Sequence, residues 1–152
     1  MQEGRDLDNK IDEICERYYI DVYHYCLYFT NNRSEAEDLT QETFIKILKG
    51  LRNFRHQSHI KTWVLSVAKN TAIDYYRRKK LIPFLPDVLL SNLKSPREGP
   101  EDQLQRKEQQ REIHEALLKL KPFYRNVVIL KGIQELSIEE TAQILGCSEL
   151  NV

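Results

Sequence analysis

Between residues 44 and 80 the chain carries ten lysines and arginines: Lys46, Lys49, Arg52, Arg55, Lys61, Lys69, Arg77, Arg78, Lys79 and Lys80. Only one acid, Asp74, stands among them, and Trp63, Tyr75 and Tyr76 are interleaved with the bases. Cationic side chains at this density neutralise phosphates, and flat rings between them stack on bases, so the segment has the make-up of a polyanion-binding face. The chemistry is binding rather than bond-making. The stretch before it has the opposite sign, with eleven acids and four bases in residues 1–43, while residues 81–152 hold eleven acids and nine bases. A formal net charge of zero therefore conceals segregated charge. The acidic stretch suggests a second partner that is not a nucleic acid.

Other chemistries find little support. His24, His56, His59 and His114 are accompanied by Cys15, Cys26 and Cys147. His56-x-x-His59 is the closest pair, and neither Cys-x-x-Cys nor His-Glu-x-x-His occurs, so no metal site and no cofactor are expected. A hydrolase or nuclease needs acids and bases converging in one pocket, whereas here they are separated along the chain and no Gly-rich phosphate loop is present. No enzyme activity, catalytic residue or small-molecule substrate is expected. Three cysteines in helical patterns read as reduced thiols, which points to the cytoplasm. No apolar run approaches the roughly 18 residues of a membrane span. The opening MQEGRDLDNK lacks the apolar core of a signal peptide, so no membrane insertion is expected.

Five Gly and five Pro among 152 residues, with abundant Leu, Ile, Glu, Lys and Gln, predict an all-α fold. Ile11, Ile14, Cys15, Tyr18, Val22, Tyr25, Cys26 and Phe29 recur every three or four residues and predict a helix over 11–29. Asn31-Asn32 breaks it. Ser34 is expected to cap a second helix with Glu35, Glu37 and Asp38 in its first turn. That helix is expected to bury Leu39, Phe44, Ile47 and Leu48 and to stop at Gly50. Residues 52–59 read as a loop, and a long helix follows over 60–80. Its face of Ile60, Trp63, Val64, Val67, Ala68, Thr71 and Tyr75 is expected to pack on the first two helices. Lys61, Leu65, Lys69, Ile73, Tyr76 and Lys80 would line the other side, and Asp74 is read as a structural partner of Asn70 or Arg78.

Pro83, Pro86, Pro96 and Pro100 mark a linker over 81–104, whose apolar stretch 81–90 is suited to docking rather than floating free. Two small helical modules result, 1–80 and 105–152. In the second, helices are expected over about 101–120 and 123–131, separated at Lys121-Pro122. Ser137 and Glu140 form a capping box, Ile138, Ala142 and Leu145 an apolar face, and Gly146 a left-handed turn. Ser148 can then cap a helix starting at Glu149. Helix, Gly turn and helix start make a helix-turn-helix pattern that stops about one turn into its recognition helix.

Three stretches, in order, resemble the bacterial extracytoplasmic-function (group IV) sigma factors of RNA polymerase. The first is Ala36-Glu37-Asp38-Leu39-x-Gln41-Glu42-x-Phe44. The second is Phe54-Arg55, then Lys61-Thr62-Trp63, then Ala68-Lys69-Asn70-x-Ala72-x-Asp74-x-x-Arg77-Arg78. The third is Leu120-x-Pro122-x-x-Arg125 with Ser137-x-Glu139-Glu140-x-Ala142-x-x-Leu145-Gly146-Cys147-Ser148. The resemblance spans residues 11–80 and 105–152.

It implies a factor that binds core RNA polymerase and promoter DNA, melts the −10 element and is held inactive by an anti-sigma factor. Asp38, Gln41 and Glu42 would contact the polymerase core. Asn53, Phe54, Arg55, His56, Gln57 and His59 would capture a flipped base, since they supply donors and a ring. Lys61, Lys69, Asn70, Tyr76, Arg77, Arg78, Lys79 and Lys80 would hold the DNA. Trp63 is expected in the core. Ser148, Glu149, Leu150 and Asn151 are what the chain offers toward the −35 element, and one helical turn cannot fill a major groove, so weak −35 recognition is expected. Two other readings stay open at this point: a stand-alone helix-turn-helix regulator, and a polymerase-binding protein that does not initiate.

Overall fold

The computed structural model describes residues 2–54, 59–81 and 108–152. The linker expected at 81–104, Leu81 excepted, and the expected helical turns at 101–107 lie outside these. The regular elements among the described residues are all helical.

Helix α1 (Gln2–Thr30) starts well before Ile11. Leu7 extends the apolar stripe by one turn ahead of Ile11 and Ile14, and Glu3 sits in the first turn, where the helix dipole favours an acid. At the other end Thr30 Oγ1 donates to Cys26 O at 2.8 Å, and Asn31 turns the chain with φ 51°. Helix α2 (Arg33–Gly50) is capped by Asn32 rather than Ser34: the Asn32 side chain accepts from Glu35 N at 3.0 Å. Gly50 does not end α2 in a left-handed turn. Its φ is −88°, and the chain passes into a 3-10 turn at Leu51–Asn53. What glycine provides here is close approach, because a Cβ would lie 3.2 Å from the Trp63 ring. Leu48 is 40 % exposed, and Leu51 takes its expected place in the core.

Helix α3 (Ile60–Leu81) is turned relative to the expected face. Leu65 and Ala72 are fully buried alongside Val64, Ala68 and Thr71, whereas Ile60, Trp63, Val67 and Tyr75 are only partly covered. The cause lies beyond α1 and α2. A helix from the second module also packs on α3, so its buried arc is wider than two neighbours would produce.

The second module begins with α4 (Glu108–Leu118). Pro122 occupies the first turn of α5 (Pro122–Val127), where its missing N–H costs nothing. The expected single helix over 123–131 instead opens into a wide π-type turn, Val128–Ile133, in which Gln134 N donates to Ile129 O at 2.8 Å. Helix α6 (Ile138–Leu145) has the expected capping box. Ser137 Oγ accepts from Glu140 N at 3.0 Å, and Ser137 N donates to Glu140 Oε1 at 3.3 Å. Gly146 closes α6 with φ 65°. Ile138 is exposed, and Thr141, Ala142 and Ile144 form the buried face instead. Beyond Ser148, which makes no side-chain cap bond, Glu149–Asn151 forms a 3-10 turn.

The modules are not independent globules. Helix α4 and the π-type turn pack on α1, and α6 packs on α3, so one apolar cluster runs from Ile14 to Ile144. Two substitutions separate this arrangement from the sequence expectation. Leu65→Ala should cost about 2–5 kcal/mol of stability, while Leu48→Ala should stay within about 0.5 kcal/mol, both read from urea denaturation. Equal costs would contradict the rotation of α3.

Candidate protein and nucleic-acid interface

The acidic motif lies on α2, one side of which stays open. At 100° per residue Asp38, Gln41, Ile45 and Leu48 share a stripe, and all four are exposed. The stripe is acidic and polar toward the helix start and apolar toward its end. Ile45 (53 % exposed) and Leu48 were missed by the sequence reading, although their spacing of seven and ten residues from Asp38 carried the signal. On α1, Tyr19 stacks on Phe44 with ring centroids 5.8 Å apart, and Ile20 beside it in sequence is also exposed. Glu42 differs from its motif neighbours. It is half-buried and engaged, by Lys46 at 3.4 Å and by Arg78 at 3.6 Å.

The basic segment divides for a geometric reason. Four consecutive helical residues point in four directions, so Arg77, Arg78, Lys79 and Lys80 cannot line one groove. Arg78 reaches Glu42, and Lys79 Nζ pairs with Glu35 at 3.3 Å. Both therefore lie against α2, and Arg78 does not form the expected local pair with the exposed Asp74. Burial and then the neighbouring Glu35 raise the pKa of the Tyr75 phenol, and Lys79 sits 5.6 Å over that ring.

Lys69, Tyr76 and Lys80 recur at spacings of seven and four on another face, with Lys80 Nζ 4.9 Å over the Tyr76 ring. Lys69 is half-buried, and that burial pulls its ammonium pKa down. Asn70 and Arg77, seven apart and both exposed, form the adjoining row. Lys61 is turned to Asp21 at 4.0 Å.

Of the expected base-capturing loop, Asn53 and His59 are exposed, and Phe54 packs its ring 4.9 Å from Trp63. Arg55, His56 and Gln57 lie outside the described residues. Trp63 is partly buried against the core, as expected. At the C-terminal end Ser148, Glu149, Leu150 and Asn151 form an exposed turn, with Leu150 97 % exposed.

Residues 14–82 match the family model for sigma-70 region 2, and residues 110–152 match that for sigma-70 region 4. The RNA polymerase sigma factor YlaC of Bacillus subtilis is 37 % identical over 141 residues, covering 92 % of this chain and 82 % of YlaC. The chain belongs to the extracytoplasmic-function sigma factors. SigX of Bacillus subtilis, a sigma factor of that type, is 34 % identical over 143 residues, which cover 90 % of this chain and 73 % of SigX. The sigma factor RpoE from Bartonella quintana, solved with the anti-sigma factor NepR, shares the fold. Its TM-score is 0.72 at 19 % identity, over 93 % of this chain and 86 % of that one. As a sigma factor the chain is a transcription initiation protein, and α2 and α3 with the loop between them fall within region 2. Among the described residues no helix is long and apolar enough to cross a membrane.

Of the ion pairs joining α2 to α3, Glu42–Arg78 is solvent-accessible and should exchange readily for outside partners. In a double-mutant cycle Glu42→Gln with Arg78→Ala should couple by less than about 1 kcal/mol at low salt. By 0.5 M salt the coupling should vanish. A larger, salt-resistant coupling would show a fixed structural pair.

Proposed function

We propose that this sigma factor divides its work between the two sides of region 2. Its open α2 stripe takes core RNA polymerase, and the outer rows of α3 take the −10 element. The observation that carries the reading is the stripe Asp38–Gln41–Ile45–Leu48, which the described residues leave uncovered although it ends in two large apolar side chains. A basic partner helix with an apolar patch suits that order of groups, the charges aiding encounter and Ile45 and Leu48 giving contact area. Glu42 joins the contact by exchanging its own bases for the partner's.

On the DNA side, Asn70, Arg77 and Lys80 are placed for phosphates; Phe54 offers a ring beside the loop residues Asn53 and His59, and Tyr76 offers another toward the far end of α3. Arg55, His56 and Gln57 belong to the same proposed loop. Lys61, Lys69, Arg78 and Lys79 contribute positive potential, and reach phosphate only after leaving an acid or a half-buried seat. Strand opening is driven by trapping unstacked bases, each stack being worth about 1–3 kcal/mol.

The working units are 1–80 for polymerase and −10 binding, 81–104 as linker and 105–152 as helix-turn-helix module. Ser148 to Asn151 are its contribution toward the −35 element. The factor acts in the cytoplasm and performs no catalysis. An anti-sigma factor as regulator is in keeping with the fold shared with RpoE, which was solved bound to one.

Titration against bacterial core polymerase, scored by binding and by opening of a promoter fragment with a −10 element, tests the reading. Asp38→Arg should abolish polymerase binding and leave the circular dichroism and melting curve unchanged, and unchanged binding would refute the α2 contact. Arg77→Ala with Lys80→Ala should weaken promoter binding and flatten its salt dependence by roughly one to two units of slope. An unaltered slope would remove these residues from the phosphate contacts.

A further inference from the structure

Two adjacent tyrosines on α3 each carry a lysine one turn later. Lys79 Nζ lies 5.6 Å over the Tyr75 ring, and Lys80 Nζ 4.9 Å over the Tyr76 ring. Residues four apart on a helix are neighbours, so the order Tyr-Tyr-x-x-Lys-Lys seats both ammonium groups on rings at once. The two pairs then differ. Lys79 also meets the largely buried Glu35 at 3.3 Å, across to α2. Lys80 is exposed, and no acid among the described residues is paired with it.

The Tyr76 ring is itself fixed from the inside. It meets the buried Phe29 edge-on, with centroids 6.5 Å apart and 79° between the planes. Arg125, on α5, lies 5.8 Å from the centre of the Tyr76 ring and 4.9 Å over Phe29. That guanidinium is only 5 % exposed, and it donates to Phe29 O, Leu117 O, Leu118 O and Leu120 O at 3.0–3.1 Å. Tyr25, one turn before Phe29, donates its buried hydroxyl to Oδ1 of Asn126, the residue after Arg125. Gln134 Nε2 donates to Asp21 O at 3.0 Å, one turn further back along α1. The ring therefore belongs to the packed body of the protein, while the lysine it carries faces solvent.

A ring and an acid leave a lysine in different states. A carboxylate neutralises the ammonium and must be displaced before a phosphate takes its place. A ring face attracts the ammonium without cancelling its charge. An ammonium has three N–H donors, so those turned away from the ring stay free for phosphate oxygens. Holding a long side chain in one place also removes beforehand the rotamer freedom that binding would otherwise have to remove.

We propose that Tyr76 is a positioning residue for a phosphate contact made by Lys80. Its ring holds the ammonium outward at the end of α3, ready for the backbone of single-stranded DNA, and takes no base itself. The proposal rests on the reading of the outer α3 rows as the DNA side and narrows the part that Tyr76 plays there. Tyr75 and Lys79, the same residue types at the same spacing, are committed to Glu35 and serve the contact between α2 and α3 instead.

Tyr76→Leu, Tyr76→Phe, Lys80→Ala and the Tyr76→Leu/Lys80→Ala double variant test this in the full chain. One readout is binding of a short single-stranded oligodeoxythymidine at low salt, followed by fluorescence anisotropy. The other is the proton NMR shift of the Lys80 ε-methylene, which a ring face moves upfield. That signal is assigned by its absence from Lys80→Ala, so it does not depend on how the Leu variant folds. Tyr76→Leu should weaken binding about two- to fivefold, the worth of an exposed cation–π contact, and return the methylene to its ordinary position. Tyr76→Phe keeps a ring face and should recover both. Lys80→Ala should cost less in the Tyr76→Leu chain than in the unaltered one, by the same factor. Losses that simply multiply would make Tyr76 an independent contact and overturn the proposal, with the DNA reading left standing. So would a Lys80 methylene at its ordinary position in the unaltered chain. If no chain binds the oligonucleotide, or if Lys80→Ala binds as well as the unaltered chain, the DNA reading of this row falls and the proposal with it.

Discussion

The packing of this sigma factor turns on one buried guanidinium. A charge taken out of water is costly unless hydrogen bonds replace its hydration, and Arg125 finds four carbonyl oxygens and two aromatic rings. Such carbonyls lie where a helix's last turn runs short of intrahelical donors, although Leu117 O also accepts from Leu120 N at 3.1 Å. Each side therefore meets a need of the other. Removing the guanidinium would take a donor from Phe29, Leu117, Leu118 and Leu120 together, so its contribution is not divisible into single bonds.

Several features set by neighbouring residues were legible in the sequence, although the caps assigned to Ser34 and Ser148 and the left-handed turn assigned to Gly50 were not among them. The Ser137–Glu140 capping box, the left-handed Gly146, the break at Asn31 and the breaker Pro122 each follow from chemistry within four residues. The acidic motif could likewise be placed on a helix and its exposed side found by counting. Features set by distant segments were not legible. Tyr25 and Asn126 stand 101 residues apart, Asp21 and Gln134 113, and Phe29 and Arg125 96. No periodicity within α3 could reveal that α6 covers it, so Leu65 was assigned to an open face. Leu48 failed in the opposite sense. Its place in the α2 pattern suited a core residue, but Leu51, reached by the 3-10 turn after Gly50, fills that space.

The same logic governs the charges. Composition located the basic segment correctly, but only helical geometry distributes it. Arg78 and Lys79 turn toward acids on α2, and Lys61 toward Asp21, so much of the apparent +9 of residues 44–80 is met within region 2. What remains outward on α3 is narrower, Asn70 with Arg77 and Lys69 with Tyr76 and Lys80, while Lys49 and Arg52 stay exposed at the end of α2 and the turn after it. A patch this small suits sequence-tolerant backbone contact near an opened strand better than a wide grip on duplex DNA.

Internal pairing also links the two working faces. Glu42 belongs to the acidic motif and Arg78 to the basic helix, and they hold each other at 3.6 Å. Such a pair at the surface is weak, so either member changes partner at little cost. Yet the exchange is reciprocal by necessity. Whatever draws Glu42 away from Arg78 frees that guanidinium, and whatever draws Arg78 onto a phosphate frees the carboxylate. A polymerase contact on α2 and a phosphate contact on α3 therefore favour one another through a single shared ion pair, with no movement of either helix. Coupling of this kind is limited to the worth of that pair. It biases the order of binding and does no more than that.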